Sequence, residues 1–546
     1  MKVVDAIAHI LKKEGVEFLF AYPVNHLIEA AAKVDIRTII VRQERIGLHM
    51  ADAISRVSSG KKIGVFCMQS GPGSENAFGG VAQAFGDSSP IVVLPGGYPR
   101  DRTQLQPNFN SALNYRNVTK HAEQLLMPEM VPDALRRAFT QVRNGRPRPA
   151  LVEVPADLTL AEIPDELVEA YQPTPALRYG PDPADVDRVA EVLLAAERPV
   201  IYAGQGVHYA RAWESLQALA ELLEAPVTTS LNGKSAFPDS HPLALGCGNR
   251  THPKTVQHYL YDADVVFGIG CSYTKTSFAI PMPTGKTFIH ATVDPADLNK
   301  DQVSEYGLIG DADLTLKALV EAVSDRLNGQ PRGRVDQLTQ DIKAMRADWL
   351  AEWQPKLTSN ETPITPYRVI WDLMQVVDPA ETIITHDAGS PRDQLSPFWQ
   401  TDTPLSYLGW GKTTQLGYGL GLAMGAKLAH PDKLCINWWG DAAIGFTGMD
   451  FETAVRERIP ILSVLSNNFS MACEIPIMQE STAKYGATNI SGHYADMAIA
   501  FGGYGERVET PDQIIPALKR GIEKTQQGIP ALIEVLTAQE LSVSKY

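Results

Sequence analysis

One stretch, residues 433–470, constrains this chain more than any other. An apolar run, Leu434-Cys435-Ile436-Asn437-Trp438-Trp439, breaks at Gly440-Asp441-Ala442-Ala443. A helical pattern over 449–458 places Phe451, Ala454 and Val455 on one face. A second apolar run, Pro460-Ile461-Leu462-Ser463-Val464-Leu465, ends in Asn467-Asn468-Phe469-Ser470. Short apolar runs bounded by turn residues read as buried strands. Strand, helix and strand in that order predict a right-handed crossover between parallel strands. Asp441 and Asn468 then stand at the carboxyl ends of parallel strands, where open α/β sheets hold their ligands. A carboxylate and a carboxamide offer oxygens to a hard cation; Mg²⁺ combines few protein oxygens with phosphate and water. An ordinary βαβ unit with polar strand ends also fits an Asp and an Asn taken alone. The order Gly-Asp-Ala, crossover, Asn-Asn is the more specific signal.

The 546 residues allow about three domains of roughly 150 residues each. A net charge of −14 argues against nucleic acid or anionic membrane as a partner and suits a cytoplasmic enzyme. Five scattered cysteines form no CxxC pair, so they read as reduced core thiols and not as a zinc site. The first residues pattern as an amphipathic helix with polar breaks, unlike a signal peptide. No apolar run reaches the length needed to span a membrane.

The first domain runs over 1–165, with strands expected at 18–22, 38–41, 63–68 and 90–95. Strands alternating with helices imply a doubly wound parallel sheet. Pro23-Val24-Asn25-His26 opens one helix, and Ser70-Gly71-Pro72-Gly73-Ser74-Glu75-Asn76 leads into another. Asn25, Glu44 and Gln69 each follow a strand end, so all three should project from one sheet edge. A linker carries prolines at 173, 175, 181 and 183. The second domain, 185–335, repeats the α/β pattern, and a polar helix is expected over 335–358. The third domain, 360–546, has a strand at 382–385 ending in His386-Asp387-Ala388-Gly389-Ser390. Leu416-Gly417-Tyr418-Gly419 then opens a Gly/Ala-rich helix. Beyond Asn468 a helical stretch is expected to carry Met471, Cys473 and Glu474. The fold class is therefore α/β, with three doubly wound parallel-sheet domains.

Three landmarks, in order, resemble one family over nearly the whole chain. Arg42-Gln43-Glu44 with His49-Met50-Ala51 is similar to the activator-glutamate segment of acetolactate-synthase-like, thiamine-diphosphate-dependent enzymes. Ser70-Gly71-Pro72-Gly73 with Asn76 resembles their pyrimidine-domain loop, and Gly440-Asp441-Ala442 with Asn467-Asn468 their diphosphate-binding motif. Tyr202-Ala203-Gly204-Gln205-Gly206 and Val293-Asp294-Pro295 resemble the central domain. The resemblance implies pyrimidine-binding, central and diphosphate-binding domains. It implies Mg²⁺ held by Asp441, Asn468 and the Ser470 carbonyl. It also implies a cofactor seated between the first domain of one subunit and the third of its partner. A homodimer at least, and a homotetramer by family habit, follows.

The same resemblance assigns roles. Glu44 would hold a proton at the remote nitrogen of the aminopyrimidine, a task suited to a buried carboxyl with a raised pKa. Leu416 would support the bent cofactor beneath its thiazolium ring. Ala388, Gly389, Ser390, Gly440, Ala442 and Ala443 would bring backbone N–H groups to the diphosphate. Asn76 belongs to the pyrimidine loop. Asn25, Gln69 and Glu474 would face the substrate, with Glu474 handling a proton.

Departures sharpen the expectation. Glu474 stands where acetolactate synthases usually carry an aliphatic residue, and their Trp after the Asn-Asn motif is replaced near Ile477. Gly270-Cys271-Ser272-Tyr273 replaces the segment associated with FAD, which speaks against that cofactor. The expected activity is decarboxylation or carboligation of a small 2-oxo acid. An acyl-CoA substrate, in a 2-hydroxyacyl-CoA lyase or oxalyl-CoA decarboxylase type of reaction, is the alternative. A binding protein that keeps the fold without catalysis is disfavoured by the presence of Glu44, Asp441 and Asn468 together.

Overall fold

A computed structural model describes residues 1–23 and 25–546. Val24, in the expected helix opening at 23–26, lies outside the described residues. The chain builds three six-stranded sheets, and every strand pairing within them is parallel. The first sheet runs Arg37–Ile40, Phe18–Ala21, Gly64–Met68, Ile91–Gly97, Ala150–Pro155, His121–Gln124. The central sheet runs Tyr306–Ile309, Thr287–Thr292, Val265–Ile269, Pro199–Ala203, Val227–Thr229, Ala244–Cys247. The third runs Tyr407–Leu408, Thr382–His386, Leu434–Gly440, Leu462–Asn467, Ala531–Leu536, Tyr504–Val508. Counting strands from the first in each unit, the first and third sheets share the order 2-1-3-4-6-5. The central sheet has 3-2-1-4-5-6, the dinucleotide-binding order.

Inner strands are buried on both faces, which is why they read as continuous apolar runs. The edge strands escape that pattern. His121-Ala122-Glu123-Gln124 and Tyr504-Gly505-Glu506-Arg507-Val508 are short, polar and half-buried, so the sequence gives them no strand signal.

Two local expectations need correction. The crossover helix does not start at 449: helix begins at Asp441 (Asp441–Thr447), passes through a 3-10 turn (Gly448–Asp450) and resumes as Phe451–Arg456. A carboxylate in the first turn favours the positive helix end, and the two alanines that follow are good helix formers. The stretch beyond Asn468 holds only a 3-10 turn, Ala472–Glu474, before a short helix Gln479–Tyr485. Phe469 adopts φ +56°, and Pro476 lacks the N–H a continuous helix would need there.

The first and third units share a core. Leu48, Met50 and Ala53 of the Glu44 helix (Glu44–Val57) belong to one apolar cluster with Leu420, Met424 and Trp439. The Glu44 helix lies directly on the Tyr418 helix (Tyr418–Ala429). Glycine makes that approach possible. A Cβ at Gly421 would stand 2.5 Å from His49 Cβ, and one at Gly425 would collide with the Met50 carbonyl. The Gly/Ala-rich pattern of 420–428 is thus a packing surface. The central unit has its own core around Leu216, Phe267 and Leu316. The helix Val335–Leu357 connects it to the third unit.

Candidate functional site

In the third unit, the loops after the first and third strands meet. Thr382–His386 leads through Asp387 and Ala388 to Gly389, at φ +75°, and the helix Ser390–Phe398 begins. Leu434–Gly440 leads into Asp441–Thr447. A Cβ on Gly440 would lie 3.5 Å from Pro391 Cγ, so the two helix N-termini are neighbours. Nothing lies within 4 Å of a Cβ built at Gly389 or Gly445. Two adjacent N-termini at a topological switch point form a ready seat for an anionic group.

A buried carboxylate ties this seat to a third helix start. Asp387 Oδ1 accepts the N–H of Ala388 at 2.8 Å and of Gly417 at 2.9 Å, and Oδ2 accepts that of Gly419 at 3.1 Å. Burial pushes its pKa up to about 7, against the pull of those N–H groups. Asp387 went unassigned in the sequence, because an Asp after a strand normally reads as an exposed turn or cap. Gly417, at φ +84°, also accepts from Thr447 Oγ1 at 2.9 Å, fixing the turn that carries Leu416. Leu416 is half-buried against the shared core.

Asp441 is buried, and Asn468 and Ser470 converge on it. The Ser470 N–H donates to Asp441 Oδ2 at 3.1 Å and to Asn468 Oδ1 at 3.0 Å, so both oxygens flank one point. Burial raises the Asp441 pKa to about 6, opposed by the backbone N–H groups of Ser470, Ala442, Asn468 and Phe469. The Ser470 Oγ is buried without a partner. An oxygen-only set with a single carboxylate is the chemistry a hard, water-retaining cation takes. Ser390 Oγ lies 2.9 Å from Cys473 Sγ, which brings the 471–474 turn beside the seat. Glu474 itself is exposed.

The first unit carries the remaining candidate residues. Glu44 is 4% exposed and begins its helix at the end of the second strand. Burial raises its pKa, while its own backbone N–H and the Asn76 side chain pull it down. A Cβ on Gly73 would meet Glu44 Oε1 at 3.5 Å, so the 70–76 loop and Glu44 face each other. Asn25 and Gln69 sit at the two loops of the switch point, as the strand order requires. The Asn25 side chain caps the helix His26–Lys33, accepting from Leu27 N–H at 2.9 Å and donating to the Met68 carbonyl at 3.1 Å. Gln69 is exposed, and Tyr98 borders the same loop, its hydroxyl 2.6 Å from a Cβ built at Gly71.

The first and third units also grip each other. Asp450 of the third unit accepts the N–H of Arg42 at 2.7 Å, two residues before Glu44. Tyr418 donates to Asp52 at 2.5 Å, and Asp52 pairs with Arg56 at 2.6 Å. His49 packs against Tyr418, ring centroids 3.9 Å apart and planes tilted by 37°. The 42–56 segment and the 411–425 segment are therefore held together within one chain.

The central sheet carries a separate cavity of about 780 Å³ at its own switch point, lined by Gly206, Gly270, Ser272, Arg146 and Lys412 among others. Tyr273, at φ +45°, folds back into the core and stacks on Tyr202 at 5.9 Å.

Comparison with known proteins agrees with this division. The chain matches the family descriptions "Thiamine pyrophosphate enzyme, N-terminal TPP binding domain" over 1–124, "central domain" over 186–319 and "C-terminal TPP binding domain" over 387–535. It is 30% identical to the probable acetolactate synthase large subunit of Methanocaldococcus jannaschii, covering 98% of this chain and 92% of that protein. Identity to the acetolactate synthase isozyme 3 large subunit of Escherichia coli (strain K12) is 27%, over 97% and 94% of the two chains. Identity to the glyoxylate carboligase of Escherichia coli O157:H7 is 27%, over 100% and 94%.

Proposed function

The chain belongs to the thiamine pyrophosphate enzymes of the acetolactate synthase and glyoxylate carboligase type, and we propose that it decarboxylates or ligates a small 2-oxo acid with Mg²⁺ as the second cofactor. The observation that carries this reading is Glu44: a buried carboxyl with a raised pKa beside Asn76, on the unit expected to face the anion seat of the partner subunit. When bound, thiamine diphosphate supplies the nucleophilic carbon and the electron sink.

The chain's residues do the rest. Asp441, Asn468 and the Ser470 carbonyl hold Mg²⁺, supported by the two oxygens that flank one N–H. Of the backbone N–H groups expected at the diphosphate, those of Ala388 and Ala442 donate instead to the Asp387 and Asp441 carboxylates, which leaves Gly389, Ser390, Gly440 and Ala443 to hold it. Leu416 would support the bound cofactor. Glu44 keeps a proton at the pyrimidine nitrogen, a role that desolvation favours. Asn25 and Gln69 line the donor site at the first unit's switch point. Glu474 stands ready to move a proton at the open mouth, one residue from the Cys473–Ser390 contact.

A 2-oxo acid is favoured over an acyl-CoA. The chain's relatives are named for acetolactate synthesis and glyoxylate carboligation, and residues 537–546 turn from the edge of the metal seat, where Gln539 Nε2 donates to the Asn468 carbonyl at 3.4 Å, away to Tyr367, Trp349 and His252. The central cavity suits a phosphate-bearing nucleotide in size. The replaced 270–273 segment, with Tyr273 turned into the core, speaks against flavin, and a flavin spectrum from the purified protein would reverse that.

The enzyme acts as a homodimer at least, with a homotetramer expected. Phe446, Met449 and Ile477 support this, being 48%, 54% and 80% exposed around the site. A cytoplasmic setting fits five free cysteines, four of them buried, and no helix of the described residues is long and apolar enough to cross a membrane.

The test pairs Glu44→Gln with the wild-type enzyme, each loaded with thiamine diphosphate and Mg²⁺. Pyruvate, glyoxylate, benzoylformate and 2-hydroxyacyl-CoA are offered, and products are read by mass spectrometry. Turnover of a 2-oxo acid that falls about 10²–10⁴-fold in the variant is expected. Equal turnover by both proteins defeats the role of Glu44, and turnover of acyl-CoA alone defeats the substrate class.

A further inference from the structure

We propose that Gln83 and Asp87 of the first unit are positioning residues for Leu416 of the third. The inference rests on the reading of Leu416 as the support of the bound cofactor. The helix Pro72–Gly86 spans the boundary. Its first turns present Asn76 to Glu44, and its last turn, with the residue that caps it, presents Gln83 and Asp87 to the segment that precedes Leu416.

That segment, 411–415, is irregular, so its backbone groups need partners from elsewhere. Two buried side chains one turn apart provide them. Gln83 Oε1 accepts from Thr413 Oγ1 at 2.7 Å and from the Gln415 N–H at 3.1 Å. Asp87 Oδ1 accepts the N–H groups of Gly411 at 3.3 Å and Lys412 at 3.2 Å. Gln83 Nε2 donates to Asp87 Oδ2, which locks the pair to each other. The exposures of Gln83 and Asp87 are 1% and 0%, so the acceptor ends of these bonds are shielded from water, while Thr413 itself is exposed. Bare glycine at position 79 leaves room for the Gln415 side chain against the same helix.

Leu416 therefore sits between two fixed peptide groups. One residue further back than the peptide that adjoins it, the Gln415 N–H is held by Gln83 of the first unit. The one after it, Gly417 N–H, is held by Asp387 of the third. With both segments anchored, the direction of the Leu416 side chain is set by the first and third units of one chain together. Asp87 Oδ1 also accepts from Asn232 Nδ2 of the central unit at 3.0 Å, and Lys412 Nζ reaches Ser272 Oγ at 3.1 Å. All three units thus meet at this clamp.

The test uses the full chain loaded with thiamine diphosphate and Mg²⁺, and reads three quantities. They are the rate at which the thiazolium C2 proton of the bound cofactor exchanges with deuterium oxide (acid quench, proton NMR), the cofactor affinity by calorimetry, and Tm. Thr413→Val removes one bond with little change in volume, and Gln83→Ala removes both acceptor bonds. Leu416→Ala is the reference. Loss of one bond in T413V should slow exchange about three- to tenfold. Q83A should slow it further, towards L416A, and T413S should restore the wild-type rate. Cofactor affinity and Tm should change less than the exchange rate.

Wild-type exchange in both T413V and Q83A, with L416A slowed, overturns the proposal. So does a fall in Tm with the exchange rate of the folded protein unchanged. If Q83A does not fold, T413V against T413S still decides. Wild-type exchange in L416A would show that the reading of Leu416 itself is wrong, and the clamp proposal falls with it.

Discussion

The first and third units share one strand order and have different equipment at the same places. In each, the loops after strands one and three meet at the switch point, and the helix after strand two faces the other unit. The third unit fills its switch point with Gly389 at positive φ, two helix N-termini and the buried Asp441. The first fills its own with Asn25, which caps a helix, and with the exposed Gln69. After strand two, the third unit carries Leu416 and the Gly417 turn, and the first carries Glu44. Topology decides where the loops gather, and the residues decide whether the place grips an anion or presents polar side chains to a smaller guest.

The sharpest way to break this comparison is to strip the third unit's edge. Asp441→Ala should weaken Mg²⁺-dependent cofactor binding by more than about 100-fold, measured by calorimetry, since even outlying supports of a metal cost 10–100-fold. If E44Q weakens cofactor binding equally, the two edges do not divide the work between binding and chemistry.

Asp387 tests whether the third unit's edge carries a cost that the first does not. Its folded pKa of about 7 is raised above the ordinary 3.8, so its contribution to stability is full below about 4 and is lost as pH rises through about 7. Asp387→Asn cannot ionise. The stability gap between wild type and variant should therefore narrow from pH 4 to pH 7, measured by thermal unfolding. A gap independent of pH would contradict the cause assigned to it.

The surface that joins the two units is the next target. Gly421→Ala forces a methyl against His49 and should destabilise the protein by about 1–3 kcal/mol, seen as a lower Tm. Preserved stability would show that the two helices separate easily. Smallest is Asn25→Ala, which should cost about 1 kcal/mol through the lost helix cap. Its effect on substrate KM is the more informative number. An unchanged KM would leave Asn25 as a cap alone and deepen the contrast between the two switch points.

Much of the site was legible because it is local. Gly440-Asp441-Ala442 and Asn467-Asn468 end two strands of one crossover, and a separation of 27 positions from Asp441 to Asn468 is enough to bring them together. The inner strands were legible because burial on both faces demands apolar runs. Edge strands such as His121–Gln124 were not, since they answer to a single neighbour and keep polar side chains. The early helix at Asp441 and the broken helix at 471–478 were misjudged for another reason. Residues there are chosen for what they present to the site, and Pro476 and the positive φ of Phe469 override the apolar spacing.

By itself the sequence determined three α/β units, the inner strands that lead to the site, and the loops on which Glu44, Asp441, Asn468 and Ser470 stand. Tertiary structure alone decided that Asp387, Gln83, Asp87 and Asp450 matter. Each acts on backbone N–H groups of a segment far along the chain: Asp387 on Gly417, Asp87 on Gly411, and Asp450 on Arg42. A backbone N–H has no residue identity, so nothing in the sequence marks its partner. Only a packed structure, in which a buried donor must find an acceptor, reveals it.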